Sequence, residues 1–238
     1  MVACCLLICY NDSKGSVKML KYKCLVLDHD DTVVQSEATV NYPCFLLALE
    51  KFRPGEFMDY PEFVDWCFRY EFTDFLRIRY GFTDEELLEE YHMWMDYART
   101  HIPPAYAGIE KVIYEQKRRG GLVCVASLSG RENILRDYNA HFGMEPDLLF
   151  TCDDPREERK PKPHPLLKIM AAYDLSPSDL LMVDDLKTGW QMARAAGVSI
   201  AFAGWSRIDF PEVSREMTEM CDLSFHSTQE LYDYLFQV

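Results

Sequence analysis

The chain has 238 residues and a formal net charge of -14, from 25 lysines and arginines against 39 aspartates and glutamates. A surface this acidic repels a phosphate backbone, which argues against nucleic-acid binding. Hydrophobic residues make up 48% of the chain, yet no apolar run reaches the roughly 18 residues needed to cross a bilayer. The sequence therefore predicts a soluble globular protein that binds neither nucleic acid nor membrane.

The 9 cysteines and the N-terminus bear on the compartment. No C-x-x-C spacing occurs, which argues against a zinc knuckle or a thioredoxin-type motif. We interpret the cysteines as reduced thiols of a cytoplasmic protein. Residues 1–18 start with an apolar stretch but lack the basic region and cleavage site of a signal peptide, so we expect an N-terminal extension outside the globular part.

Four short apolar runs predict β-strands at residues 22–27, 121–126, 180–183 and 198–203. Continuous apolar runs of this length are typical of parallel strands that are buried on both faces. Helical patterns lie between them, and Ser129-x-x-Glu132 and Ser227-x-x-Glu230 are interpreted as capping boxes that open two of these helices. The alternation predicts an α/β fold with a doubly wound parallel sheet.

Residues 36–107 interrupt this alternation with an aromatic-rich helical block. It contains a further capping box, Thr83-x-x-Glu86, and no convincing strand. We interpret the block as a separate α-helical cap domain inserted after the first strand. Residues 19–35 and 108–238 would then form the core domain.

Polar residues follow three of the predicted strands. Asp28 and Asp30 come after the first, Ser127 after the second, and Asp184 with Asp185 after the third. The carboxyl ends of parallel strands converge on one crevice. Two unit charges 4 Å apart repel by roughly 4 kcal/mol at an effective dielectric of about 20, so such carboxylates need protons or cations among them. Oxygen ligands with open positions suit Mg²⁺, which also accepts substrate phosphate oxygens.

With these motifs in this order, residues from about 20 to 236 resemble the haloacid dehalogenase superfamily. The resemblance is to its phosphatase branch with a helical cap, which includes proteins similar to phosphoglycolate phosphatase and beta-phosphoglucomutase. The first family motif, Asp-x-Asp-x-Thr, is matched by Asp28, Asp30 and Thr32, and the second by Ser127. The third motif is a lysine, commonly in Lys-Pro-x-Pro, which Lys162 matches best, with Lys160 as the alternative. Asp184 and Asp185 match the fourth.

The resemblance implies a role for each matched residue. Asp28 would attack phosphorus and become an aspartyl phosphate, and Asp30 would act as general acid and then as general base. Ser127 and Lys162 would bind the transferring phosphoryl group. Mg²⁺ would be held by Asp28, the backbone carbonyl of Asp30 and Asp185, with Asp184 near the metal or orienting the lysine. The family implies a Mg²⁺-dependent phosphatase that acts on a small phosphorylated metabolite.

The sequence also departs from the family pattern. Many relatives have Gly where this chain has Asp31, which we interpret as an additional acid facing solvent, and an Asp where it has Gly189, which would leave more of the work to Asp184. His29 lies between the two motif aspartates, but alternation along the strand points its side chain away from Asp28 and predicts a packing role.

Two alternatives stay open on sequence alone: a sugar phosphomutase with the same motifs, and an inactive phosphate-binding relative. The dehalogenases of the superfamily attack carbon and lack the second aspartate, because they release no alkoxide that needs a proton. The presence of Asp30 therefore argues against a dehalogenase. Phosphoglycolate-like compounds, sugar phosphates and nucleotide monophosphates all remain compatible substrates. Four arginines of the cap could meet a substrate carboxylate or second phosphate, although we expect most of them on a solvated face: Arg53, Arg69, Arg77 and Arg79.

Overall fold

The computed structural model describes residues 20–237, so the predicted extension at residues 1–18 lies outside the described part of the chain. A six-stranded, wholly parallel sheet has the strand order β3-β2-β1-β4-β5-β6. The strands are β1 (Cys24–Leu27), β2 (Leu122–Ala126), β3 (Leu149–Phe150), β4 (Leu180–Asp184), β5 (Ser199–Ala203) and β6 (Leu223–Phe225). The predicted fold class is confirmed, and the four predicted strands are β1, β2, β4 and β5.

Between β1 and β2 the chain forms a π-helix (Glu37–Asn41) and five α-helices. They are α1 (Tyr42–Phe52), α2 (Tyr60–Arg69), α3 (Phe72–Tyr80), α4 (Asp84–Thr100) and α5 (Ile109–Arg118). The later helices are α6 (Arg131–Phe142), α7 (His164–Tyr173), α8 (Lys187–Ala196), α9 (Pro211–Met220) and α10 (Thr228–Phe236). No helix in the range 20–237 is long and apolar enough to span a membrane.

The helix starts test the predicted capping boxes one by one. Thr83 and Glu86 form both hydrogen bonds of the box that opens α4, and the Ser227 hydroxyl caps α10 by accepting from the Glu230 N–H. The predicted box at Ser129 is wrong. Helix α6 has Gly130 as its N-cap, and Asp153 from a neighbouring loop accepts from the Arg131 N–H instead.

Apolar cores on both faces of the sheet and within the helical block support this arrangement. Because side chains alternate across a strand, Leu25 and Leu27 pack on one face of the sheet, and Cys24 and Val26 pack on the other. The helical block after β1 has a core of its own that is rich in aromatic residues, among them Phe45, Phe63 and Phe75. A separate apolar core is what an inserted cap needs to fold. The domain boundaries at residues 35/36 and 107/108 stay a prediction.

Candidate active site

The register of the sheet brings the motif aspartates together. Leu27 of β1 pairs with Val183 of β4, and the Asp28 N–H donates to the Val183 carbonyl at 2.9 Å. Asp28 and Asp184 therefore leave the two central strands side by side. One carboxylate oxygen from each of Asp28, Asp184 and Asp185 lies within 4.8 Å of the others. All three residues are buried, with exposed fractions of 4% or less.

The lysine at this site is Lys160, and the preference for Lys162 is wrong on position. The Lys160 Nζ donates to Asp28 Oδ1 at 2.8 Å and to Asp184 Oδ2 at 2.6 Å, and its side chain is buried. Lys162 is exposed and lies next to α7. The two lysines stand two positions apart, each followed by proline, so the local pattern does not distinguish them. Only the path of the loop decides which one turns inward.

Burial and mutual repulsion shape the electrostatics of the cluster. Burial raises the pKa of Asp28 to about 6, although the Lys160 ammonium opposes this shift. The pKa values of Asp184 and Asp185 are raised to about 6 for the same main reason, with Lys160 opposing at Asp184 and Arg207 at Asp185. Burial lowers the pKa of Lys160, but the attraction of Asp184 and Asp28 outweighs it and raises the pKa overall. A charged lysine thus balances only part of this acidic cluster.

The donor set fits a hard divalent cation. Asp185 Oδ2 accepts from Arg207 Nη2, whereas Asp185 Oδ1 is buried and has no hydrogen-bond partner in the described chain. Lys160 is the one side chain of residues 20–237 that is hydrogen-bonded to the Asp28 carboxylate, through Oδ1. Within residues 20–237, each of these two acids thus keeps one oxygen without a hydrogen bond. A buried oxygen without a partner is costly, and coordination of Mg²⁺ through oxygen would satisfy it.

The second motif aspartate faces a different environment. Asp30 is half-buried, and its Oδ1 accepts from the Ser36 hydroxyl at 2.6 Å. It lines a cleft between the sheet edge and the helical block, together with Asn41, Trp94 and Arg136. Ser127 follows β2 and is buried, and its Oγ accepts from the Ser129 N–H at 3.2 Å. The two motif aspartates therefore differ in burial and in hydrogen-bonding partners, as separate chemical roles require.

Asp31 does not face solvent, so that interpretation is wrong. Asp31 is 4% exposed, and its backbone is left-handed, with a φ of 54°. Its carboxylate lies 3.6 Å from Arg207 and accepts from the Glu37 N–H at 3.3 Å. Glycine adopts this backbone freely, which is why it suits the position, whereas an aspartate here needs stabilising contacts.

Two neighbouring positions are also explained by contacts. Gly189 packs against Asp184 so closely that a Cβ would lie 1.9 Å from Asp184 Oδ2. The position leaves no space for the aspartate found in relatives. His29 Nε2 lies 3.0 Å from Asp137 Oδ2, and both side chains are buried. The side chain of His29 therefore packs away from Asp28, in agreement with the strand alternation.

Arginines near the site differ from those nominated by the sequence. Arg53, Arg69 and Arg77 pair with Glu86, Asp65 and Asp84 within the helical block. None of these three is among the residues that line the cleft beside Asp30, and neither is Arg79. Arg136 of α6 lines this cleft, and Arg207 is buried against Asp185. Sequence reasoning missed both, because neither belongs to a motif and each is defined by its partners in space.

Comparison with solved structures shows that the fold is shared. A crystal structure described as a predicted phosphoglycolate phosphatase from Haemophilus somnus superposes with a TM-score of 0.70 at 15% identity, over 91% of this chain and 99% of that one. CbbY from Rhodobacter sphaeroides, solved with xylulose-(1,5)bisphosphate, gives 0.68 at 19% identity, over 88% and 96%. A candidate beta-phosphoglucomutase from Bacteroides vulgatus gives 0.69 at 20% identity, over 91% and 89%.

Sequence comparison identifies the family. No curated protein sequence matches the chain significantly. The model of the family described as haloacid dehalogenase-like hydrolase matches residues 25–203, which include the motif residues from Asp28 to Asp185. This chain is therefore an enzyme of the haloacid dehalogenase-like hydrolase family.

Proposed function

We propose that this protein is a Mg²⁺-dependent phosphatase that hydrolyses a small phosphorylated metabolite through an aspartyl phosphate on Asp28. This proposal is supported by the different environments of two carboxylates at one edge of the sheet. Asp28 is buried and bound to Lys160, whereas Asp30 is half-buried and faces the cleft. Hydrolysis by an enzyme carboxylate needs such a nucleophile and a separate proton donor.

The proposed reaction has two steps. In the first, the Asp28 carboxylate attacks phosphorus, the ester P–O bond breaks, and protonated Asp30 gives its proton to the leaving oxygen. In the second, a water attacks phosphorus and gives a proton to Asp30, and the bond between phosphorus and Asp28 breaks to release inorganic phosphate. The Ser36 hydroxyl, which donates to Asp30 Oδ1 at 2.6 Å, would hold this carboxylate in place throughout.

Positive charge must offset the acidic surroundings for a phosphate dianion to approach. Lys160 would neutralise part of the charge on Asp28 and the phosphoryl group, and the Ser127 hydroxyl would donate to a phosphoryl oxygen. Mg²⁺ would be held by Asp28, the backbone carbonyl of Asp30 and Asp185, with Asp184 orienting Lys160. The ion would supply positive charge to the phosphoryl oxygens as their negative charge develops.

The position of Asp30 beneath the helical block supports the proposed substrate class. Asp30 lies under the helical block, where a bulky phosphoprotein would have little access, so we propose phosphorylated metabolites as substrates. CbbY, which shares the fold, binds a sugar bisphosphate, and this supports the class.

The described cysteines are free thiols, which supports a reducing compartment such as the cytoplasm.

Release of inorganic phosphate from an aryl phosphate tests the proposal. We expect the wild type to release phosphate with Mg²⁺ and to stop when EDTA is added, and we expect Asp28→Asn to release none. A wild type without activity on aryl phosphates and on a panel of phosphorylated metabolites would contradict it, as would equal release by Asp28→Asn. A panel member that is isomerised without release of phosphate would identify a phosphomutase instead.

A further inference from the structure

Arg207 is a buried arginine that the proposed reaction does not use. It follows β5 and the short 3₁₀ turn at Gly204–Ser206, and it is 1% exposed. A buried guanidinium is tolerated only where carboxylates or other acceptors surround it, because its desolvation is costly. Its neighbours therefore indicate what it does.

The two terminal nitrogens of Arg207 contact different parts of the protein. Nη2 donates to Asp185 Oδ2, at the end of β4. Nη1 donates to Glu37 Oε2, on the π-helix that begins the inserted helical block, and lies 3.6 Å from Asp31 Oδ2. The guanidinium thus joins a carboxylate of the candidate metal site to the first turn of the inserted block.

The contact with Arg207 also determines which carboxylate oxygen of Asp185 remains available to a metal ion. Oδ2 is taken by the guanidinium, and Oδ1 is buried without a hydrogen-bond partner in the described residues. A carboxylate held by one oxygen cannot rotate freely, so its other oxygen has a defined direction. Partners of this kind outside the coordination sphere orient metal ligands in proteins, and their loss typically weakens metal binding by about 10- to 100-fold.

We propose that Arg207 is a positioning residue that holds Asp185 Oδ2 so that Asp185 Oδ1 is available to a divalent cation, and that Glu37 fixes the other side of its guanidinium. This inference rests on the proposed metal-dependent function. Asp31 adds a third carboxylate beside Arg207, whose Nε has no hydrogen-bond partner among the described residues. The left-handed backbone of Asp31 is unusual for a residue other than glycine, and it is stabilised here by the Glu37 N–H and the nearby Arg207.

An arginine is required for this arrangement, and a lysine does not replace it. The guanidinium is a rigid planar fork whose separate nitrogens reach Asp185 and Glu37 at the same time, whereas an ammonium is a single point of charge. Arg207→Lys therefore keeps the positive charge and removes the geometry. Since the charge near the cation is unchanged, any change in Mg²⁺ affinity reports on orientation.

The test measures Mg²⁺ binding without substrate, by isothermal titration calorimetry on the full chain. The samples are the wild type, Arg207→Lys, Glu37→Gln and Arg53→Lys, each confirmed as folded by circular dichroism. Arg53 is the matched control, because it also holds a carboxylate with both terminal nitrogens, that of Glu86 in the helical block. Glu37→Gln keeps the side-chain shape and the contact between Arg207 and Asp185, and it decides the outcome if Arg207→Lys does not fold.

We expect Arg207→Lys to raise the Kd for Mg²⁺ by about tenfold or more. Glu37→Gln should raise it by less, and Arg53→Lys should leave it unchanged. A purely structural role would lower the melting temperature of Arg207→Lys and leave the Kd of the folded protein at the wild-type value, which would overturn the proposal, as would an unchanged Kd for Glu37→Gln. If the wild type releases phosphate while these Kd values are equal, only the positioning role fails. A wild type that neither binds Mg²⁺ nor releases phosphate contradicts both proposals.

Discussion

Replacing Lys160 by methionine tests the electrostatic centre of the candidate site. Methionine has a similar length and no charge, so the substitution removes the ammonium that lies between Asp28 and Asp184. The exposed Lys162 offers a matched control two positions along the same loop. Comparison of Lys160→Met with Lys162→Met separates the buried contact from the general effect of losing a positive charge in an acidic protein.

The expected loss of stability in Lys160→Met follows from the burial of the Lys160 side chain. The Lys160 side chain is 3% exposed and makes two charge-assisted hydrogen bonds, at 2.8 and 2.6 Å. Removing one partner of a buried ionic cluster leaves the other charges uncompensated, which typically costs about 3 to 5 kcal/mol. A substitution on the exposed surface usually changes stability by less than about 0.5 kcal/mol. Lys160→Met should therefore lose far more stability than Lys162→Met.

The assay is urea unfolding in EDTA, followed by circular dichroism at two pH values. The pKa values of Asp28 and Asp184 are raised to about 6 in the folded protein, and loss of the ammonium raises them further. At about pH 5 these acids can take up protons, which relieves their repulsion. The loss of stability in Lys160→Met should therefore be larger at about pH 8 than at about pH 5. Equal free energies of unfolding for Lys160→Met and Lys162→Met would refute the assignment of Lys160 to the site.

Two further predictions concern other buried positions. Glu90 of α4 is 6% exposed, and burial raises its pKa from 4.5 to about 7. Its neutral form is favoured in the folded state, so the stability it contributes is complete below about pH 4.5 and is lost as the pH rises through 7. Glu90→Gln should raise the free energy of unfolding by up to about 3 kcal/mol at about pH 8 and change little at about pH 4.5, and a gain that does not depend on pH would contradict this. Gly189→Ala would place a Cβ 1.9 Å from Asp184 Oδ2, so we expect a lower melting temperature and weaker Mg²⁺ binding, whereas Gly143→Ala, at a helix end with open space, should lower only the melting temperature. Unchanged Mg²⁺ binding in a folded Gly189→Ala would show that the close packing does not position Asp184.

The sequence predicted the central part of the sheet because continuous apolar runs, bounded by polar residues, carry a clear signal. Strands β1, β2, β4 and β5 have four or five residues each and are almost wholly buried. Strands β3 and β6 have two and three residues, and most of these are only half-buried. Runs this short show no periodicity, so only pairing within the folded sheet reveals them.

The candidate site likewise contains residues that the sequence pattern predicts and residues that only the folded chain reveals. Asp184 is the last residue of β4, and Asp28 and Asp185 directly follow β1 and β4. Since strand ends converge in any parallel sheet, the proximity of these three acids was predictable. The choice between Lys160 and Lys162 depends on a loop whose path the local pattern does not determine. Arg207 comes from a segment without any motif, and its relation to Asp185 exists only in the folded chain.

Transfer of a phosphoryl group to Asp28 can be detected by mass spectrometry of acid-quenched protein. Asp30→Asn should still react with an aryl phosphate, whose leaving group needs little protonation, but it lacks the base that activates water in the second step. We therefore predict that the peptide containing Asp28 gains the mass of one phosphoryl group in Asp30→Asn, and that Asp28→Asn shows no such gain. Phosphate release by the wild type without an adduct in Asp30→Asn, or an adduct on another residue, would contradict transfer of the phosphoryl group to Asp28.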